Sequence, residues 1–297
     1  MSKLKETIFT GAACAIVTPF REGKVDFKRL GRLIERQISE KTDAIVICGT
    51  TGESSTLTDE EHRECIRFCV EKVAGRVPVI AGTGSNDTDY AVSLSRYACD
   101  AGADALLLVT PYYNKATPKG LVKYFTAVAD ACAKPIILYN VPSRTGVGIT
   151  MPVYRELARH ERIAAVKEAS GSISQVAELI AECGDSLDVY SGNDDQIVPI
   201  MSLGGKGVIS VLSNVVPRDT HDICSLYAAG DTSEAAKLQL RYLDLISALF
   251  CEVNPIPVKT AMGMMDLCSD EMRLPLCEME DGTKARLAAA LRNHGII

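Results

Sequence analysis

Short apolar runs recur along the chain at 12–17, 44–48, 79–81, 105–109, 136–139, 163–166, 187–191 and 207–211. Each has the length of a strand, and none alternates strictly between apolar and polar residues. That is the pattern of strands buried on both faces of a parallel sheet. Polar or glycine-containing residues follow each run, and then an amphipathic stretch with helical spacing. Eight such units over roughly 200 residues predict a (β/α)8 TIM barrel, an α/β fold.

The helical stretches carry their own start signals. Thr58-Asp-Glu-Glu61 reads as a capping box. Asn86 is the expected cap of the next helix, with Asp87 and Asp89 favouring its positive end. Thr117-Pro118 offers a cap followed by proline at the first helical position. Asn193-Asp194-Asp195 is expected to open a further helix, where capping accounts for the paired acids better than catalysis does. Beyond residue 211 the strand signal stops. Helices are predicted at 217–229, 232–250, 257–268 and 281–294. The expected organisation is therefore a catalytic barrel over 1–230 and a C-terminal all-helical domain over 231–297, with no low-complexity linker between them.

Composition narrows the function classes. A net charge of −6 without any Lys/Arg block argues against nucleic acid and acidic membrane surfaces. Met1 begins a polar stretch, so neither a signal peptide nor a membrane span is expected. Eleven scattered cysteines, with no Cys-x-x-Cys, suit reduced thiols and the cytoplasm. Cys65 and Cys69 share a helix face as core thiols. His62, His160, His221 and His294 are too far apart in sequence to suggest a metal site, and none is expected.

In barrels of this type the chemistry gathers where strands end. The sixth run ends in Lys167. Lys167 is either a lysine turning to solvent or a desolvated amine whose lowered pKa makes it a nucleophile. The second run ends in Gly49-Thr50-Thr51-Gly-Glu53, either a plain turn or a set of donors for a carboxylate. The fourth ends in Tyr112-Tyr113, of which at most one can face its own barrel. The fifth ends in Tyr139, a phenol able to relay protons, with Arg144 beyond it to hold a carboxylate. Gly204-Gly205-Lys206-Gly207 precedes the eighth strand and reads as a turn at the opposite end rather than a phosphate cradle. A lysine, a phenol, a Thr-Thr turn and an arginine on one face suggest a Schiff-base lysine handling a 2-oxo acid.

Gly49-Thr-Thr-Gly-Glu53, Tyr139-Asn-Val-Pro142, Val166-Lys167-Glu168 and Ser191-Gly-Asn-Asp194 resemble the pyruvate-dependent class I aldolase family that includes dihydrodipicolinate synthase and N-acetylneuraminate lyase. The resemblance spans nearly the whole chain. Arg144 in Pro142-Ser-Arg-Thr-Gly146 is similar to the synthase branch, which uses it for the carboxylate of aspartate semialdehyde, whereas sialic acid lyases typically lack it. The resemblance implies an imine between Lys167 and pyruvate, Tyr139 as general acid/base, and a relay completed by Thr51 and by Tyr113 from a neighbouring subunit. It implies that Thr50 and Thr51 bind the pyruvate carboxylate, that Gly192 and Ile209 shape the pocket, and that no cofactor is needed. It further implies a homotetramer built as a dimer of dimers, and a role in diaminopimelate and lysine biosynthesis. The positions matching the family's lysine-regulatory site are Ser54, Ser55, Asp59, His62, Asn86, Tyr90 and Tyr112. The position of Tyr90 usually carries a glutamate in lysine-sensitive members and that of Asp59 often a histidine, so weak or absent lysine inhibition is expected. Two other readings stand beside the synthase: a lyase for sialic or 2-keto-3-deoxy sugar acids, and a barrel that has lost catalysis and serves as a binding protein.

Overall fold

The computed structural model describes residues 5–297; the polar start read from the sequence begins at residue 1, and residues 1–4 lie outside that range. Eight parallel strands close into a barrel. They are β1 (Gly11–Ala15), β2 (Ala44–Ile47), β3 (Val79–Gly82), β4 (Ala105–Val109), β5 (Ile136–Asn140), β6 (Ile163–Glu168), β7 (Asp188–Ser191) and β8 (Gly207–Ser210). The barrel class and every predicted strand position are borne out. A two-stranded ribbon, Phe20–Arg21 with Lys24–Val25, follows β1.

Closure requires β8 to lie against β1. Gly207 pairs with Gly11, and a Cβ on Gly207 would fall 1.8 Å from the Gly11 carbonyl oxygen. Glycine alone permits that approach, and its φ of +143° suits no side chain. Small and branched residues fill the barrel, among them Ala13, Val46, Ile80, Leu107, Ile137 and Ile209. Phe9 stacks on Tyr190 at 4.2 Å, and the Tyr190 hydroxyl donates to the Phe9 carbonyl. The barrel is thus a packed core, and its free space lies at the mouth formed by the carboxyl ends of the strands.

Around it run α1 (Phe27–Ser39), α2 (Asp59–Val73), α3 (Thr88–Asp100), α4 (Pro118–Ala131), the short α5 (Pro142–Thr145), α6 (Met151–Leu157), α7 (Ile173–Cys183), α8 (Ile197–Ser202) and α9 (Pro217–Ala228). The capping box on α2 and the Thr117 cap with Pro118 on α4 form as the sequence predicts. Two caps differ. Asp87, not Asn86, caps α3 by accepting from the Asp89 and Tyr90 amides, because Asn86 is drawn off to donate to the Tyr112 carbonyl. A helical stretch does open at Asp194, as a 3-10 turn over Asp194–Gln196 that runs into α8, but no side chain caps it, and Asp194 serves elsewhere. It is buried and accepts from the Val211 and Leu212 amides, tying the exit of β7 to the exit of β8.

The C-terminal helices are α10 (Thr232–Arg241), α11 (Leu243–Leu249), α12 (Ile256–Met264) and α13 (Asp281–Asn293). The single helix expected over 232–250 is broken at Tyr242. Its phenol donates to Asp219 on α9 while its ring stacks on His294 at 4.7 Å. Because α10 packs on α9 and α11 on α13, the chain must change direction there. The helix expected to reach 268 ends at Met264, with Asp266 left-handed just beyond. Among the described residues, no helix is long and apolar enough to cross a membrane.

Charge joins these helices to the barrel. Lys259 on α12 is fully buried and donates to Glu53 Oε1 and to the Glu271 carbonyl, each at 2.6 Å. Arg273 forks onto Glu61 and donates to the Thr56 carbonyl. The Phe20 ring lies under both cations, at 4.2 and 4.4 Å. Removing one partner of such a pair leaves the other buried and uncompensated. Lys259→Met is expected to lower unfolding free energy by about 3–5 kcal/mol, read by chemical denaturation; a loss too small to resolve would show that Glu53 is held without it.

Candidate active site

Parallel pairing sets Tyr139 on β5 beside Lys167 on β6. Residues in register on parallel strands point to the same face. Both side chains therefore enter the barrel mouth, and Lys167 Nζ sits 4.3 Å from the centre of the Tyr139 ring. Lys167 is only 6 % exposed. Burial lowers its amine to about 8; the carboxylate of Asp194 opposes that shift and the charge of Arg144 adds to it. Burial also raises the Tyr139 phenol, although Arg144 and a hydrogen bond with Thr50 pull it back. The phenol is therefore neutral near pH 7, a proton carrier rather than a phenolate.

The next residue on each strand points outward and forms a buried lock. Glu168 accepts from Asn140 Nδ2, the Tyr154 hydroxyl and the Ser170 amide, at 2.8–3.0 Å. Asn140 Oδ1 accepts from the Ile149 amide. This lock fixes the ends of β5 and β6 where Tyr139 and Lys167 emerge. The sequence reading gave Asn140, Tyr154 and Glu168 no role. Asn140 and Glu168 were visible as the motif neighbours of Tyr139 and Lys167, but their pairing needs the strand register.

After β2 the chain makes a tight turn over Thr50–Gly52, flanked by Cys48 and Glu53 in left-handed conformations. The two threonines diverge. Thr50 is partly exposed and lines the same cavity as Tyr139. Thr51 is buried, and its hydroxyl accepts from Asn254 Nδ2 at 3.1 Å. A cavity of about 30 Å³ lies between Thr50, Ser54, Gly84 and Tyr139. Arg144, on α5, is exposed at the rim and donates to the Asn254 carbonyl at 3.2 Å. A Cβ on Gly192 would meet Lys167 Cε at 3.3 Å and Ala169 Cβ at 2.6 Å, so glycine keeps space beside the amine. Ile209 is fully buried inside the barrel. Tyr113 does not join the site of its own chain: it is 92 % exposed, with φ +69°.

The seven positions matched to a regulatory site lie on α2, α3 and the adjoining loops. Asp59 accepts from Arg63 Nε at 2.7 Å, which holds its carboxyl below the usual range, and the Tyr90 phenol adjoins it. His62 is buried with Nε2 2.8 Å from the Gly82 carbonyl. Asn86 bonds the Tyr112 carbonyl, Ser54 is half-buried and Ser55 exposed. Among the described residues no His, Cys, Asp or Glu cluster has the makings of a metal site.

A buried amine of lowered pKa over the ring of a neutral phenol has the chemistry to condense with a carbonyl. Comparison with known proteins agrees. The model of the dihydrodipicolinate synthetase family matches residues 8–294. A 4-hydroxy-tetrahydrodipicolinate synthase of Lachnoclostridium phytofermentans is 58% identical over 98% of this chain and 99% of its own. The dihydrodipicolinate synthase of Aquifex aeolicus superposes with a TM-score of 0.95 at 45% identity, covering 97% of this chain and 99% of that one. The chloride-inhibited enzyme of Acinetobacter baumannii, solved in complex with pyruvate, gives 0.95 at 43% identity over 98% and 100% of the two chains. The chain belongs to the dihydrodipicolinate synthetase family.

Proposed function

We infer that this chain carries the activity for which its relatives are named, that of a 4-hydroxy-tetrahydrodipicolinate synthase. It is a carbon–carbon lyase/synthase of the class I aldolase type. It condenses pyruvate with L-aspartate 4-semialdehyde in the diaminopimelate route to lysine. The observation that carries the residue roles is the buried Lys167 amine above Tyr139, lowered to about 8.

Neutral Lys167 attacks the ketone carbon of pyruvate, and loss of water gives the imine. A methyl proton leaves to form the enamine, whose carbon attacks the aldehyde. The amine of the acceptor then displaces Lys167, closing the ring and freeing the enzyme. Tyr139 moves the protons. The geometry favours Thr50 as the next hydroxyl of the relay, in place of the Thr51 implied by resemblance, because Thr50 lines the same cavity as Tyr139 while the Thr51 hydroxyl is bonded by Asn254. Thr51 is then left to bind the pyruvate carboxylate. Arg144 at the rim takes the carboxylate of the acceptor, while Gly192 and Ile209 shape the pocket. Tyr113 of the partner subunit completes the relay, a role supported by its projection away from its own barrel. A homotetramer of paired dimers and a cytoplasmic location belong to the same reading.

Lysine regulation is weak or absent in this reading. Tyr90 supplies no carboxylate for a ligand ammonium, and Asp59 is already paired with Arg63. The missing charge-assisted bond is worth about 1.5–3 kcal/mol.

Borohydride reduction in the presence of pyruvate, followed by peptide mass spectrometry, is expected to place the adduct on Lys167; an adduct on Lys206 or Lys259 instead overturns the mechanism. The trapping rate reports the amine's ionisation. Below pH 8 the ammonium predominates and the rate is expected to fall about tenfold per pH unit, levelling off above 8. An unperturbed lysine, with a pKa of about 10.4, would keep gaining to beyond pH 10. Tyr139→Phe is expected to fold normally and lose turnover by about 10²–10⁴-fold; wild-type rates would remove Tyr139 from the relay. In steady-state assays with aspartate semialdehyde, sub-millimolar lysine is expected to leave the rate unchanged, and strong inhibition there would restore a working regulatory site.

A further inference from the structure

Asn254 lies between α11 and α12, outside the barrel in sequence, yet it is 5 % exposed and touches two parts of the site. Its Nδ2 donates to Thr51 Oγ1 at 3.1 Å, and its backbone carbonyl accepts from Arg144 Nη2 at 3.2 Å. A hydroxyl has one proton to give and two lone pairs to receive. Asn254 fills a receiving position on Thr51. Among the described residues the Thr51 proton goes to no protein acceptor, although the side chain is buried. A buried O–H without an acceptor is costly unless a ligand supplies one. The carbonyl oxygen of the same Asn254 amide is also buried without a partner, so the amide is held chiefly through its donor end.

We propose that Asn254 is a positioning residue that aims the Thr51 proton at the carboxylate of the 2-oxo acid, while its backbone carbonyl steers Arg144 toward the carboxylate of the acceptor. The helical extension thereby sets the direction of a hydrogen bond inside the barrel and places two anion receptors relative to each other. This rests on the carboxylate-binding role given to Thr51 above.

The sign of the effect separates aiming from packing. Asn254→Asp keeps the shape but can only accept from Thr51. The Thr51 proton then turns away from the substrate, and a negative charge stands nearby. Asn254→Ala removes the donor and adds no charge. Steady-state kinetics are expected to show the pyruvate KM raised about ten- to a hundredfold in Asn254→Asp and less in Asn254→Ala. The KM for aspartate semialdehyde changes less in both, because the backbone carbonyl stays. A packing role predicts the reverse order, with the near-isosteric aspartate milder than alanine, and that order overturns the proposal. Thr51→Val serves as the reference. A raised pyruvate KM there beside a mild Asn254→Asp removes the role of Asn254 alone, whereas an unchanged KM in Thr51→Val removes the carboxylate reading and the proposal with it. Should Asn254→Asp fail to fold, the decision passes to Asn254→Ala: a rise confined to the pyruvate KM supports aiming, and equal rises for both substrates overturn it.

Discussion

The ion pair between Lys259 and Glu53 has no contact with water, and the shape of the catalytic mouth depends on it. Desolvating two opposite charges is costly, and their attraction offsets that cost only when further hydrogen bonds satisfy the remaining atoms. Here they do. Glu53 also accepts from the Arg273 amide, and Lys259 also reaches the Glu271 carbonyl. Burial lowers the Lys259 amine, while the neighbouring Glu53 opposes the shift. Glu53 is the left-handed residue that ends the Thr50–Gly52 turn. Holding its carboxylate therefore holds the backbone carrying both threonines. A helix more than two hundred residues away in sequence fixes a loop that a strand end alone would leave free.

Burial lowers the amine of Lys167 as it does that of Lys259, but the two stand in different surroundings. That lysine too is buried, but no carboxylate bonds its amine. Asp194 acts on it from a distance, with its Oδ2 accepting from the backbone amides of both Val211 and Leu212 and its carboxyl raised by burial. Burial therefore prevails, and the amine falls to about 8. Two buried lysines in one chain thus serve different ends. Lys259 has a carboxylate in contact and acts as a clamp, whereas Lys167 has an aromatic face and a glycine beside its side chain, which suits a nucleophile.

Much of the site was legible in the motifs, because strand ends in a barrel share one face: Tyr139 and Lys167 stand near the ends of β5 and β6, and the Thr-Thr turn follows β2. The finer assignments were not. Thr50 and Thr51 are adjacent and chemically identical, so only the turn decides which hydroxyl meets Tyr139 and which meets Asn254. Asp194 looked like a helix cap because acids before a helix usually are caps; its burial between two strand exits depends on the register of β7 and β8. The continuous apolar spacing over 232–250 gave no sign of a break, since the cause is a contact of Tyr242 with two distant helices.

By itself the sequence determined the barrel and the positions of its strands, and it marked Lys167 as the candidate nucleophile. Those follow from local rules: run length, capping residues, and a lysine placed where a buried run ends. Tertiary structure alone decided how that lysine is tuned, which threonine serves which partner, and how the C-terminal helices enter the site through Asn254 and Lys259. The reason is physical. Desolvation and hydrogen-bond direction depend on what surrounds a group in space, and in this chain those surroundings come from strands and helices far apart in sequence.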